Sequence, residues 1–472
     1  MMKKSDIQYS ISSEKPTAPA PFSYPENFFS LTPDEKYEVF CNISMTANGK
    51  TFISEEAAEA FQRRAQRWMD VIALKEPDRV PAMLIAEGAV ADYSGITQAD
   101  IFYSPEKLAQ ASIKFQEDFQ PDHSIAVLPM SGRALDLIGY TPARWPGSSR
   151  PNALPENMHF QYVEHEYMSA EDYDQLIANP DGYMLRTYIP RAFENLKGFE
   201  ILPSLYHLVE ITGPTSVLAP MAMGPLRDSL EKMLKAANIV MEELMPTTLA
   251  GLQITWQWGA PGVMGGITFA PFDIIGDTMR GTRGIMLDMY NHPDKLIAAC
   301  EAITPISIKM AVESSMASGN PYIIIPLHKG ADGFMSNEQF EKFYWPSLKA
   351  QLLGIIEAGL VPIPFVEGSY NQRLDIIAES GLPAGKTAWM FDKTDMKAAK
   401  KKIGSWACIG GNVPTSLFLT GTSQEMEDYC KKLMDVAAPG GGFFLAPGAS
   451  VDHAKFENVH AFINSPKKYG VY

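Results

Sequence analysis

Cysteine is scarce in this chain. Only Cys41, Cys300, Cys408 and Cys430 occur in 472 residues, and no two form a Cys-x-x-Cys pair. Neither a cysteine-ligated zinc module nor a disulfide framework is therefore expected, and the scarcity suits a reducing compartment. Positive charge is also in deficit. Forty Lys and Arg face 55 Asp and Glu, for a formal charge of −15. That balance argues against nucleic acid as the main partner, because phosphate binding depends on basic patches. No apolar run approaches the roughly 18 residues of a membrane helix. The opening "MMKKSDIQYSISSEKPTAPAP" has lysines but no apolar core, so it does not read as a secretory signal. A cytoplasmic protein is expected. HExxH and HxH are missing, and "PGGGFF" lacks the Lys-Ser/Thr of a phosphate loop, so it reads as a turn.

What is present is a large apolar inventory, 46% of the residues, enough for one large domain or two ordinary ones. Residues 1–30 read as an extended arm whose Tyr24, Phe28 and Phe29 are placed to pin it to a neighbouring subunit, which makes a homodimer an expectation. Thr32, Pro33, Asp34 and Glu35 open a helix. A second helix runs from Ser54, with Phe61, Ala65, Trp68 and Ile72 on one stripe.

Beyond "KEPDR" the pattern changes to short apolar runs separated by helical stretches. The runs are Val80–Gly88, Ser124–Gly132, Leu252–Gly262, Tyr322–Gly333, "LVPIPFVEG", "KTAWMFDKTD", "SWACIGGNVP" and "GGFFLAPGASVDH". "SNEQFEKFYWPSLKAQLLGIIEAG" is the clearest helix, with Ser336 and Gln339 as a capping box, Pro346 as a kink and Gly359 as the stop. Apolar strands alternating with helices mean parallel strands buried on both faces. Eight such units predict an α/β fold of the (β/α)8 TIM-barrel type. The alternative is an open doubly wound sheet, but no GxGxxG follows the first run. An arm and helix over residues 1–55 precede the barrel of residues 56–472. The long gap between the second and third runs predicts an insertion over residues 140–250.

A barrel carries its chemistry at the carboxyl ends of its strands. This chain repeatedly puts polar side chains there: Glu87, His328, Glu367, Asp392, Asn412 and His453. Singly, each has an ordinary role as a cap, turn residue or surface pair. Together they suit either of two chemistries. One is a metal held by carboxylate and imidazole. The other is general acid catalysis by a carboxyl whose pKa is raised by an apolar wall. Glu367, ending Pro-Phe-Val, fits both.

Three stretches, "KEPDRVPAML", "GNVPTSLFLTGTSQEMEDYCKKLMD" and "GGFFLAPGASVDHAKFENVHAFI", resemble the uroporphyrinogen decarboxylase superfamily, and the likeness extends over roughly residues 60–470. The resemblance implies a (β/α)8 barrel and either tetrapyrrole decarboxylation or corrinoid-dependent methyl transfer. The decarboxylase's arginine-rich run after strand one reads here "MLIAEGAV", and its strand-two aspartate has no counterpart in "VLPMSG". The zinc-binding branch's His-x-Cys pair aligns with Phe365 and Glu367, and its last ligand with Ala449. "FDIIGDTMRGTRGIMLDMYNHPDKL" and "PLHKGADGFMSNEQFEKFYWPSLKA" are similar to the methyltransferases of corrinoid-dependent O-demethylase systems. That branch implies an aryl methyl ether substrate and a corrinoid carried by a partner protein, since the Asp-x-His-x-x-Gly cobalt-ligand motif is absent here. It also implies roles. Glu367 would be general acid or metal ligand, with zinc as the candidate ion. His328, Asp392 and His453 would ligate or orient, and Asn412 would position the substrate. Trp258, Tyr322, Trp389 and Met390 would line the ring pocket. Lys329 and Asp332 are expected to pair with each other. A decarboxylase of a smaller substrate and a non-catalytic corrinoid- or porphyrin-binding protein are the competing readings.

Overall fold

A computed structural model describes residues 22–151 and 153–472; the first 21 residues of the expected arm lie outside the described residues. The helix openings are as the sequence predicts. Thr32 caps Pro33–Ser44 through a full capping box with Glu35, and Ser54 caps Glu55–Ile72. Tyr24, Phe28 and Phe29 do not reach outward. Phe28 is buried in the chain's own core, and the Tyr24 hydroxyl donates to the Met316 carbonyl. The rings pack on the chain's own core, Phe28 fully and Tyr24 and Phe29 in part.

β1 (Ala143–Arg144) and β2 (Gln161–Tyr162) form a small antiparallel pair. β3 (Gly266–Ile267), β4 (Tyr322–Leu327), β5 (Val361–Val366), β6 (Ala388–Phe391), β7 (Cys408–Val413) and β8 (Phe443–Pro447) form one parallel sheet in that order. Helices between the strands make this an α/β fold of TIM-barrel-like type. β5 is buried at every position although it contains Pro362 and Pro364. The amides of Val361 and Glu367 bond toward β4, at Pro321 and Leu327. The intervening prolines face β6, which pairs only from Phe365 onward, so no ladder bond is lost.

The first two apolar runs lie alongside this sheet without becoming regular strands. Residues 80–85 run beside β8, where Met83 donates to the Leu445 carbonyl and Leu445 to that of Pro81. In the second run side chains replace a strand neighbour: Ile125 and Val127 donate to Gln116 Oε1 and Ser112 Oγ of the helix Pro105–Phe119. The third expected strand is a correction. Leu252–Trp258 is the end of the 35-residue helix Gly224–Trp258. Ile, Thr and Trp favour strands locally, but Thr247, Ala250 and Ile254 are buried at helical spacing, and packing overrides propensity. The strand that takes this place is the short β3.

Two apolar layers result. Ile323, Ile325, Leu327, Val366, Trp389 and Phe391 face the helices. Tyr322, Ile324, Val361, Ile363, Phe365, Met390 and Phe444 face inward, where Trp68 and Ile72 of the helix Glu55–Ile72 close the end of the sheet away from its carboxyl edge. Beneath that end Asp122 takes hydrogen bonds from Arg67, Arg79 and the Ala82 amide.

Candidate active site at the carboxyl edge of the sheet

The period-2 alternation of strands decides which polar residues meet. On β4 the inward row Tyr322, Ile324 continues to His328. On β5 the row Val361, Ile363, Phe365 continues to Glu367, and on β6 Ala388, Met390 continues to Asp392. Residues 83 and 85 lead in the same way to Glu87. The register pairs Pro326 with Phe365, and Phe365 with Met390. Glu367 is therefore flanked by His328 on one side and Asp392 on the other. An apolar interior ends in a polar mouth.

The best-connected part of the mouth is a chain of four groups. His328 Nδ1 lies 2.5 Å from Asp277 Oδ2, and its Nε2 lies 3.7 Å from Glu367 Oε1. Lys329 Nζ is 2.7 Å from Asp277 Oδ1. Below them the fully buried Asp273 accepts the amides of His328 and Lys329 and the hydroxyl of Tyr344. Burial by itself would lower His328, but the Asp277 hydrogen bond and the charges of Asp273, Asp277 and Glu367 lift it to about 9. It is an imidazolium at neutral pH. Burial raises Glu367, and Asp277 and Asp392 add to the rise, while the His328 cation opposes it. Asp277 is held below the usual carboxylate range by His328 and Lys329, which outweigh its burial. Asp273 is pushed up to about 6 by burial and the Asp277 charge.

Asp273 and Asp277 were not singled out from the sequence. They stand one helical turn apart on Pro271–Thr278, which puts both carboxylates on one face toward residues 328 and 329. The Asp-x-x-x-Asp spacing in "FDIIGD", directly after β3, was the available signal. Tyr162 on β2 is a second addition. Its phenol is raised first by partial desolvation, although 71% of the residue is exposed, and then by the charges of Asp277, Glu367 and Glu87.

The other expected residues have different places. Asp392 accepts the Gly368 amide, which anchors the turn after Glu367. Asn412 Nδ2 donates to the Thr394 carbonyl, and Tyr429 donates to the Asn412 carbonyl, so its side chain braces a loop. His453 is paired with Asp92 at 2.5 Å, beyond β8. Trp258 ends a helix, and its carbonyl accepts from Arg64. Tyr322 is buried at the amino end of β4, its hydroxyl 3.4 Å from that of Tyr37. Trp389 packs on Trp345 in the helix layer, and Met390 is sealed inside the sheet. None of these four lines the mouth; strand position in the sequence does not tell which end or face a ring occupies. Lys329 and Asp332 do not pair with each other: Lys329 bonds Asp277, and Asp332 accepts from Ser369.

A zinc site finds no support in this geometry. Among the described residues no three His, Cys, Asp or Glu side chains converge as a metal-binding group, and Asp392 and His453 already have other partners.

The uroporphyrinogen decarboxylase (URO-D) family profile matches residues 210–469, which hold β3 to β8 and the His328–Glu367 pair. The chain belongs to the URO-D family. A solved structure described as a methyltransferase from Methanosarcina mazei matches at a TM-score of 0.53 with 19% identity, over 87% of this chain and 98% of that one. It shares the fold. No curated protein matches the chain. The mouth is rich in acids: Glu87, Asp277, Glu367 and Asp392 stand with Lys329 paired to Asp277.

Proposed function

We propose that this URO-D protein is a methyltransferase that removes the methyl group of an aryl methyl ether and passes it to a corrinoid on a partner protein. The observation that carries this reading is the Asp277–His328–Glu367 array, which sets an imidazolium 3.7 Å from an open, half-exposed carboxyl whose hold on a proton is strengthened by burial. An aryl methyl ether is inert because its leaving group is an aryloxide. Protonating the ether oxygen as the carbon–oxygen bond breaks lowers that barrier. Glu367 is the member of the pair that reaches outward, with nearly half its side chain exposed. It delivers the proton to the oxygen that takes the bonding electron pair, and the phenol departs. His328, beside it, returns the proton to Glu367 and is refilled from solvent. Asp277 keeps His328 charged and oriented through Nδ1, leaving Nε2 toward Glu367. The acidic mouth would repel a polycarboxylate and accept a neutral ring.

When brought by its partner, the corrinoid would supply the nucleophile and the acceptor for the methyl group. The residues fit a cofactor delivered from outside, because Glu367 stands at the exposed rim and not in a sealed cavity. The M. mazei methyltransferase of the same fold supports the reaction class. We extend the reading to a closed eight-stranded barrel over residues 56–472, completed by residues 80–85 and 124–130, with 1–55 as a preceding unit, 140–250 as an insertion and the cytoplasm as the location.

The test is incubation with a panel of methoxylated phenols and Co(I) cobalamin or a corrinoid protein, read by the absorbance of methylcobalamin and by release of the phenol. Transfer that collapses in Glu367→Gln is expected. Absence of transfer across the panel, or full activity in Glu367→Gln, would overturn the reading.

A further inference from the structure

The helix Gly224–Trp258 is apolar on two opposite sides. One side, with Ala236, Thr247, Ala250 and Ile254, is buried against the helices Pro105–Phe119 and Gly132–Ile138. At about 100° per residue, the opposite side carries Leu234, Met241, Met245, Leu249, Leu252 and Trp256, each between 40% and 67% exposed. An amphipathic surface helix has one apolar stripe; a helix with two is covered on both sides. No described residue covers the second. It extends over 23 positions, about 34 Å at 1.5 Å per residue.

The spacing of this stripe is nearly palindromic. Leu234 and Trp256 stand eleven residues before and after Met245, and Met241 and Leu249 stand four before and after it. A two-fold axis needs this property, because residue i of one copy must meet j of the other while j meets i. With the axis at Met245, two antiparallel helices bring Met245 to Met245, Met241 to Leu249 and Leu234 to Trp256. The charges agree. After Glu243 the helix has no charged residue, so the exposed Lys235 and Glu242 of one copy face the uncharged Thr255 and Thr248 of the other. At roughly 200 Å² per large side chain, the exposed parts of the six residues amount to roughly 650 Å² per chain, close to the ~800 Å² per partner of a stable interface. Flanking polar residues supply the rest as a rim.

We propose that the outer face of Gly224–Trp258 is the interface of a two-fold symmetric homodimer, with the two helices antiparallel and crossing at Met245. This places self-association on the helix, away from the aromatic residues of the amino-terminal arm.

The full-length chain tests it. Sedimentation equilibrium at micromolar concentration should return about twice the 52.1 kDa of one chain. Met245→Lys sets two ammonium groups against each other on the axis and should return the monomer mass, with the circular dichroism spectrum kept because the position is exposed. A cysteine scan fixes the register, the four native cysteines being buried. With a mild oxidant, Met245→Cys should cross-link to itself. Leu234→Cys should cross-link only when mixed with Trp256→Cys. A monomer throughout, a dimer that survives Met245→Lys, or self-linkage of Leu234→Cys as fast as that of Met245→Cys would overturn the proposal. A monomer whose stripe is protected only when a corrinoid protein is added would also overturn it and assign the face to that partner.

Discussion

Replacing Asp277 by asparagine removes one charge and one strong hydrogen-bond acceptor from His328 without changing the size of the side chain. The rise of His328 from 6.5 to about 9 corresponds to roughly 3 kcal/mol between its two protonation states. Asp277 supplies the hydrogen bond and part of the Coulomb attraction that outweigh burial. In the variant, burial and the Lys329 ammonium, deprived of its carboxylate, act unopposed except for Asp273 and Glu367, so His328 should titrate near or below its ordinary value. The assay is a heteronuclear NMR titration of the imidazole Cε1–H, assigned by loss of the signal in His328→Gln. Wild type should show a midpoint near 9, and Asp277→Asn one lower by about two to three pH units. The basic limb of the kcat/KM profile should move down with it, separating loss of the proton from loss of fold. Stability follows the same sign. A histidine raised in the folded state stabilises fully below its unfolded value of 6.5, and that contribution disappears as pH rises through about 9. Roughly 3 kcal/mol is its ceiling, reduced by solvent because the side chain is 30% exposed. A wild-type midpoint near 6.5, or an unchanged midpoint in Asp277→Asn, would refute the proton chain.

Three further outcomes are expected. Glu367→Gln should lower kcat by about 10²- to 10³-fold with the melting temperature held, since the loss of a positioned acid has that size and the side chain is half exposed; methyl transfer under single-turnover conditions measures it. Asp122→Ala should cost about 3 kcal/mol in urea unfolding, because it leaves Arg79 without a carboxylate and Arg67 with Asp78 alone. In wild type these arginines outweigh burial and hold Asp122 down to about 2, so its stabilisation is present above its ordinary value and is lost as pH falls toward 2. Gly410→Ala should destabilise by about 1–3 kcal/mol, read by thermal melting, because the added methyl would come within 2.0 Å of the buried Phe444 ring.

Strands β4 to β8 were legible because each is a short apolar run bounded by turn residues, and their polar ends were legible with them. The cap at Thr32 and the capping box at Ser336 were equally readable, being local chemistry. The first two runs were readable as apolar segments but not as irregular ones, because side chains from a separate helix complete their hydrogen bonding. Leu252–Gly262 misled for a related reason: strand propensity and a helical burial period coexist there, and only the neighbouring helices select the second. The aromatic residues expected at the mouth were displaced because a strand's sequence gives alternation but not which end of the sheet a ring occupies.

By itself, then, the sequence determined the parallel α/β class, the family likeness and the position of Glu367 and His328 at strand ends, because alternation and turn chemistry act within a few residues. The tertiary structure alone decided that His328 and Glu367 are neighbours through the register of β4 and β5, and that Asp277 charges the pair. It also decided that one face of Gly224–Trp258 is left bare. These depend on contacts between elements tens of residues apart, where burial and Coulomb attraction, not local propensity, set the outcome.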